Sequence, residues 1–199
     1  MRTGCARRED SPAEFAHLTG ETRFDFVLTA WDYSAGLEKL IHHVKYERGL
    51  HLGEYLGSRM AEIVYHLRQA VDPESFLSPV PLHRIRQRER GYNQSEVICR
   101  GISRVWGMPV LGDVLSRTKN TRSQTRMSAE QRQDNVRGVF RVIRPEAVSG
   151  KSIFLVDDVI TTGATMNGCA GALKEAGAGT VIGLALARPQ VFLHIRELQ

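Results

Sequence analysis

Only three cysteines occur in 199 residues. Cys5, Cys99 and Cys169 lie far apart and form no C-x-x-C pair, which excludes a disulfide framework or a cysteine-built metal site and fits a reducing, cytoplasmic compartment. No apolar run approaches bilayer-spanning length, and residues 1–10 carry no apolar stretch behind their arginines. Membrane insertion and secretion are therefore not expected. A complete Walker-type phosphate loop is missing, and no G-x-G-x-x-G follows a strand. His42, His43, His51 and His66 have no carboxylate or cysteine at an established ligand spacing, so surface or core roles are expected for them. Internal repeats and low-complexity linkers are also lacking. At this length the chain fits one α/β domain with a small appendage.

Charge is present but uneven. The formal net charge is +5; residues 83–144 hold 14 Lys/Arg against 5 Asp/Glu, a local +9 that leaves −4 for the remainder. That half should face something anionic. Its aromatics are Tyr92, Trp106 and Phe140, few stacking platforms for nucleic-acid bases.

Across 37–67, apolar residues recur at three- and four-residue steps, interrupted at Arg48-Gly49, which predicts two amphipathic helices. Residues 76–82 read as a short strand whose prolines suggest a rigid or cis turn. A helix is expected over 93–106, ended by Gly107, then a strand over 113–117 and a polar, aperiodic stretch over 118–127. Ser128-Ala129-Glu130-Gln131 has capping-box spacing. Strands over 139–143, 152–156 and 181–187 and a helix over 165–176 complete the alternation, which implies a mainly parallel central sheet flanked by helices. We divide the chain into an N-terminal helical hood or appendage, 1–70, and a core, 71–199.

The most informative stretch is 153–165, IFLVDDVITTGAT. A buried-strand run ends at Asp157 and Asp158, whose carboxylates at the carboxyl end of a parallel strand can accept hydrogen bonds from ribose hydroxyls. Beyond Val159, the residues Thr161, Thr162, Gly163, Ala164 and Thr165 offer hydroxyls and free backbone N–H groups where a helix begins. Gly163 and Ala164 leave room for close approach of an anion. The series asks for a ribose carrying a 5′-phosphate. A second segment, 81–94, runs from a strand end into His83, Arg84, Arg86, Arg88 and Arg90, a candidate pyrophosphate clamp because guanidinium groups grip phosphate oxygens bidentately. A solvated basic helix start or a nucleic-acid patch is the alternative. Lys45 and Tyr46, at the end of the first helix, could reach the site, with a surface role the preferred reading for both.

The 153–165 stretch resembles the phosphoribosyl pyrophosphate (PRPP) motif of the type I phosphoribosyltransferases. Joined to Val80-Pro81-Leu82-His83, Arg88 to Gln94, Gln124 and Asn135-Val136-Arg137-Gly138, it resembles the ComF family over about residues 25–188. The resemblance implies a type I phosphoribosyltransferase fold and a Mg²⁺-dependent transfer of a phosphoribosyl group to an unidentified amine or base acceptor. It places the ribose and 5′-phosphate on Asp157, Asp158, Val159 and 161–165, with Mg²⁺ reached from the two aspartates through PRPP hydroxyls or water. It places pyrophosphate on Leu82, His83 and Arg84, beneath a mobile flap that includes Arg117, Lys119 and Gln124, with His83, Arg84 and Lys119 as catalytic candidates. Family members carry a four-cysteine zinc module ahead of this core; only Cys5 lies in that region here, so no zinc is expected. Where purine salvage enzymes of the superfamily place a carboxylate, four residues after the first acid of the motif, this chain has Thr161, closer to the orotate-type pattern. The expected partners are PRPP, single-stranded DNA and a DNA-uptake helicase, with homo-oligomeric assembly. The rival reading is a non-catalytic or PRPP-sensing module that binds single-stranded DNA in natural transformation.

Overall fold

The computed structural model describes residues 8–10, for which only the backbone is considered, 22–118 and 138–189. Its elements in chain order are β1 (Arg8–Asp10), β2 (Phe26–Asp32), α1 (Ala35–Tyr46), α2 (Leu50–Ile63), α3 (Tyr65–Gln69) and β3 (Phe76–Pro79). Then follow α4 (Arg84–Arg90), α5 (Gln94–Trp106), β4 (Leu115–Arg117), β5 (Phe140–Val142), a 3-10 turn (Pro145–Ala147), β6 (Ile153–Val159), α6 (Ala164–Glu175) and β7 (Val181–Arg188). Five strands form one sheet in the order β1-β2-β7-β6-β3; β1 is antiparallel to β2 and the other three pairings are parallel. β4 and β5 make a separate antiparallel ribbon.

The strand pattern explains the layers. Alternate side chains of a strand point to opposite faces, so in β6 Phe154 and Val156 join one apolar cluster while Ile153 and Leu155 join another. The first cluster is covered by α1, α2 and α5 through Leu37, Ile41, Met60, Ile98 and Ile102. The second is covered by α6 through Met166, Cys169 and Leu173 and by the β4–β5 ribbon through Leu115 and Phe140. β7 is buried along its whole length, as expected of a parallel strand covered on both faces.

Helices α2 and α5 touch backbone to backbone. A Cβ on Gly57 would overlap the carbonyl of Ile98, and one on Gly101 would overlap the carbonyl of Glu54, so hydrogen at these two positions is a packing requirement. Ser58 Oγ donates to the Gly101 carbonyl at 3.0 Å across the same contact.

Several sequence expectations change in detail. The first 70 residues are not helical alone: β2 lies inside the main sheet, paired from Phe26↔Ile182 to Asp32↔Arg188 with β7. Its run, Phe-Val-Leu-Thr-Ala-Trp-Asp, is too short for periodicity to separate strand from helix. The basic residues after Pro81 form the short helix α4, as the basic-helix alternative for that segment had it, capped by Gly91 at φ 80°. All peptide bonds among the described residues are trans, including those at the prolines after β3. No helix among the described residues is long and apolar enough to cross a membrane.

Candidate functional site

Parallel strands β2, β7, β6 and β3 end along one edge, so their carboxyl ends converge with the turns that follow them. Asp157 and Asp158 both lie within the last turn of pleat in β6, with Asp157 opposite Ala185 and Val159 opposite Ala187. The two neighbouring carboxylates leave the strand in different directions, and each meets a different helix: Asp157 the start of α5 and Asp158 the end of α1.

Asp157 Oδ1 accepts from Ser95 Oγ at 3.0 Å and from the Asp158 N–H at 2.9 Å. Ser95 sits in the first turn of α5, where Asn93 caps the helix by accepting from the Ser95 N–H (3.1 Å) and ties back to β3 by donating to the Val80 carbonyl (3.0 Å). Burial, then the neighbouring Asp158 carboxylate, pushes the Asp157 carboxyl up to about 7, against relief from Asp158 N–H, Lys45 and Ser95. Asp158 is 5 % exposed. Its Oδ1 accepts from the Val159 N–H at 2.8 Å and its Oδ2 is 2.6 Å from Lys45 Nζ.

Lys45 is thus part of the site, contrary to its reading as a surface residue. It stands in the last turn of α1, and Leu37, Ile41 and Val44 lock that helix over the sheet. The residue before α1's cap, Tyr33, also faces the site; burial first, and then Glu38 and Asp158, raise its phenol above the ordinary value, while Lys45 opposes them. Neither residue carries a signal in isolation: a lysine near a helix C-terminus is commonplace on surfaces. Ser95 was equally silent.

The turn after β6 leads through exposed Thr161 to Thr162, whose Oγ1 accepts from the Ala164 N–H at 3.3 Å. Gly163 adopts φ 78° and is the N-cap of α6 without any side-chain cap. A left-handed residue here turns the chain sharply, which glycine does without a Cβ penalty. Beyond Ala164, whose N–H is taken by Thr162, the first-turn N–H groups of α6 from Thr165 onward lie at the positive end of a twelve-residue helix.

On the facing side, Leu82 and His83 are half-buried and Arg84 is exposed. His83 caps α4 by accepting from the Ile85 N–H at Nδ1, 3.3 Å. Arg117, at the end of β4, lies 5.5 Å over the Phe140 ring. Burial and then Arg86 push its guanidinium below the usual range, with Cys169 and Asp157 pulling the other way. The structure therefore gathers Asp157, Asp158, Lys45, Ser95 and Arg117, whereas Lys119 and Gln124 lie outside the described residues. His42 and His43 are exposed and both approach Glu47, His43 Nδ1 at 2.8 Å. Gly150-Lys151-Ser152 lies before β6, at the opposite end of the strand, where Lys151 approaches Glu74 at 3.4 Å.

Residues 82–190 match the family model described as a phosphoribosyl transferase domain. The DNA utilization protein YhgH of Escherichia coli (strain K12) is 34 % identical over 158 residues, 78 % of this chain and 68 % of that protein. Competence protein F of Haemophilus influenzae is 31 % identical over 178 residues, 86 % and 76 % respectively. The chain belongs to the ComF family of the phosphoribosyltransferase superfamily. Competence protein ComFC of Bacillus subtilis, 30 % identical over 118 residues, covers 59 % of this ComF-family chain and 46 % of its own.

Mg²⁺ is the ion that the sequence resemblance implies beside PRPP. The adjacent carboxylates of Asp157 and Asp158 supply hard oxygen ligands, the donors Mg²⁺ takes in ones and twos alongside waters and substrate phosphates.

Proposed function

We propose that this ComF-family protein binds PRPP at the carboxyl edge of its sheet and transfers the phosphoribosyl group to a nitrogen acceptor. The observation that carries the reading is the Asp157–Asp158 pair running directly into the Gly163 turn and the uncapped start of α6. Asp157 and Asp158 accept hydrogen bonds from the ribose hydroxyls. Thr161, Thr162, Gly163, Ala164 and Thr165 hold the 5′-phosphate through hydroxyls and first-turn N–H groups. Lys45, 2.6 Å from Asp158 Oδ2, holds that carboxylate aimed before substrate arrives, so that no reorganisation is needed on binding.

In the reaction the bond from C1′ to the pyrophosphate oxygen breaks with its electron pair leaving on pyrophosphate. The nitrogen lone pair forms the new bond to C1′, and the nitrogen sheds its proton to water. Positive charge growing on the sugar is favoured by the adjacent carboxylates. Negative charge growing on the leaving group is favoured by Leu82 N–H, His83, Arg84 and Arg117, with Lys119 and Gln124 completing the cover. Mg²⁺, held by Asp157 and Asp158 through ribose hydroxyls or water, would supply charge neutralisation of the pyrophosphate.

The names of the relatives, a DNA utilization protein and two competence proteins, support a setting in DNA uptake; single-stranded DNA, a DNA-uptake helicase and a homo-oligomeric assembly are the partners we propose for that setting. A second reading, a PRPP-responsive DNA-binding module without catalysis, is favoured by the exposed guanidinium groups of Arg84, Arg86 and Arg88 on α4. Calorimetry with PRPP and Mg²⁺ on wild type and on Asp157→Asn/Asp158→Asn tests the site: equal affinity in both removes it. Pyrophosphate release over a panel of amines and bases separates transferase from module, since silence throughout, with PRPP binding intact, favours the module.

A further inference from the structure

Between the C-terminal end of α1 and α4 opens a cavity of about 680 Å³, within the size range of small-molecule sites. Its walls carry Lys45, Arg48, Arg86, Arg88 and Arg90 against one carboxylate, Glu89. Two of these cations are committed. Lys45 holds Asp158, and Arg90 donates to Gln94 Oε1 (2.9 Å) and to the Tyr46 hydroxyl (3.2 Å). Arg48, Arg86 and Arg88 make no ion pair with a carboxylate among the described residues. Three guanidinium groups facing one space repel one another until an anion enters it.

Arg48 adds an independent observation. It has φ 55°, the one non-glycine residue with positive φ among the described residues. A long side chain in that region is uncommon and costs about 1 kcal/mol or more, and such outliers concentrate where a side chain must be presented. The neighbouring turn is fixed, since Tyr92 Oη donates to the Val44 carbonyl, joining α1 to the start of α5.

The cavity joins the ribose site through Lys45, which lines the one and contacts Asp158 in the other. We infer that this cavity receives the acceptor, so that Arg86, Arg88 and Arg90 serve the acceptor and the pyrophosphate clamp is confined to Leu82, His83 and Arg84, and that the acceptor is an anion: a small nitrogen nucleophile carrying a carboxylate or a phosphate. The inference rests on the transferase reading above. A nucleic-acid strand is the weaker occupant, because stacking needs a free aromatic face. Tyr46 is the one aromatic residue among the described residues of the lining, and it already carries Arg90 4.8 Å over its ring and the His42 ring centroid at 4.6 Å.

The test is calorimetry with two matched pairs of probes, anthranilate against aniline and phosphoethanolamine against ethanolamine, the first pair reading carboxylate and the second phosphate. At least one anionic member should bind about tenfold tighter than its partner. Arg48→Gln should remove most of that preference, Arg48→Lys should restore part of it, and PRPP affinity should stay unchanged in both. No preference in either pair up to about 10 mM, or a preference indifferent to Arg48→Gln, overturns the inference. So does a single-stranded oligothymidylate that displaces both anions through Arg48. PRPP titration of the same samples separates the two failures. Protein that binds PRPP but shows no anion preference loses only the acceptor cavity; protein that prefers the anions but ignores PRPP loses the transferase reading, and the acceptor role with it.

Discussion

Replacing Asp157 by Asn should make the protein more stable and less able to bind PRPP, and the gain in stability should grow with pH. In the folded chain the Asp157 carboxyl is pushed from 3.8 up to about 7, by burial first and by Asp158 second. A raised acid binds more protons folded than unfolded between those two values, so wild-type stability falls as pH rises through that window and levels off above it. At about 1.4 kcal/mol per unit, the loss between about pH 5 and pH 8 is on the order of 2–3 kcal/mol. Asn at 157 keeps the oxygen that accepts from Ser95 and from the Asp158 N–H and cannot ionise, so it escapes the loss. Urea unfolding of both proteins across this range, read as the difference between them, isolates the one group from the other titrating residues. A variant whose advantage stays flat from pH 5 to 8, or which is less stable than wild type at pH 8, would refute the argument that the carboxylate is held at a cost.

Lys45→Met strands the Asp158 carboxylate without its 2.6 Å partner and should destabilise by about 2–4 kcal/mol at neutral pH, measured by thermal or urea unfolding; a neutral result would mean that solvent already satisfies Asp158. Gly101→Ala drives a methyl into the Glu54 carbonyl and should cost about 3 kcal/mol or more, whereas Gly171→Ala, with its nearest neighbour the Arg23 stem at 3.6 Å, should be tolerated or slightly stabilising. Circular dichroism melts of the two variants decide whether the α2–α5 contact is as close as described. Gly163→Ala at φ 78° should lose about 1–2 kcal/mol of stability together with most PRPP affinity in the same titration; retained affinity would show that the turn does not hold the phosphate.

Local sequence determined the elements whose causes are local. The residues around Asp157, Asp158 and Gly163 announce strand, acid pair, small-residue turn and helix start in order, since each is carried by neighbouring side chains; the left-handed conformation of Gly163 came from the structure. The helices over 35–46, 50–63, 94–106 and 164–175 were likewise legible from apolar spacing and terminal glycines. The strand Phe26–Asp32 was not, because seven residues carry too little periodicity to distinguish strand from helix, and pairing with β7 settles it. Sequence left the helix at α4 as one of two readings, and it did not show that Lys45 would reach a carboxylate 113 positions later. Such meetings depend on where α1 lies over the sheet, fixed by Leu37, Ile41 and Val44 joining the apolar cluster that also holds Phe154 and Val156. Chemistry carried by neighbours along the chain was determined by the sequence itself; the partners of Asp157 and Asp158, and the arginines beside them that lack a carboxylate partner among the described residues, exist only because burial forces distant segments together and leaves their charges facing one space.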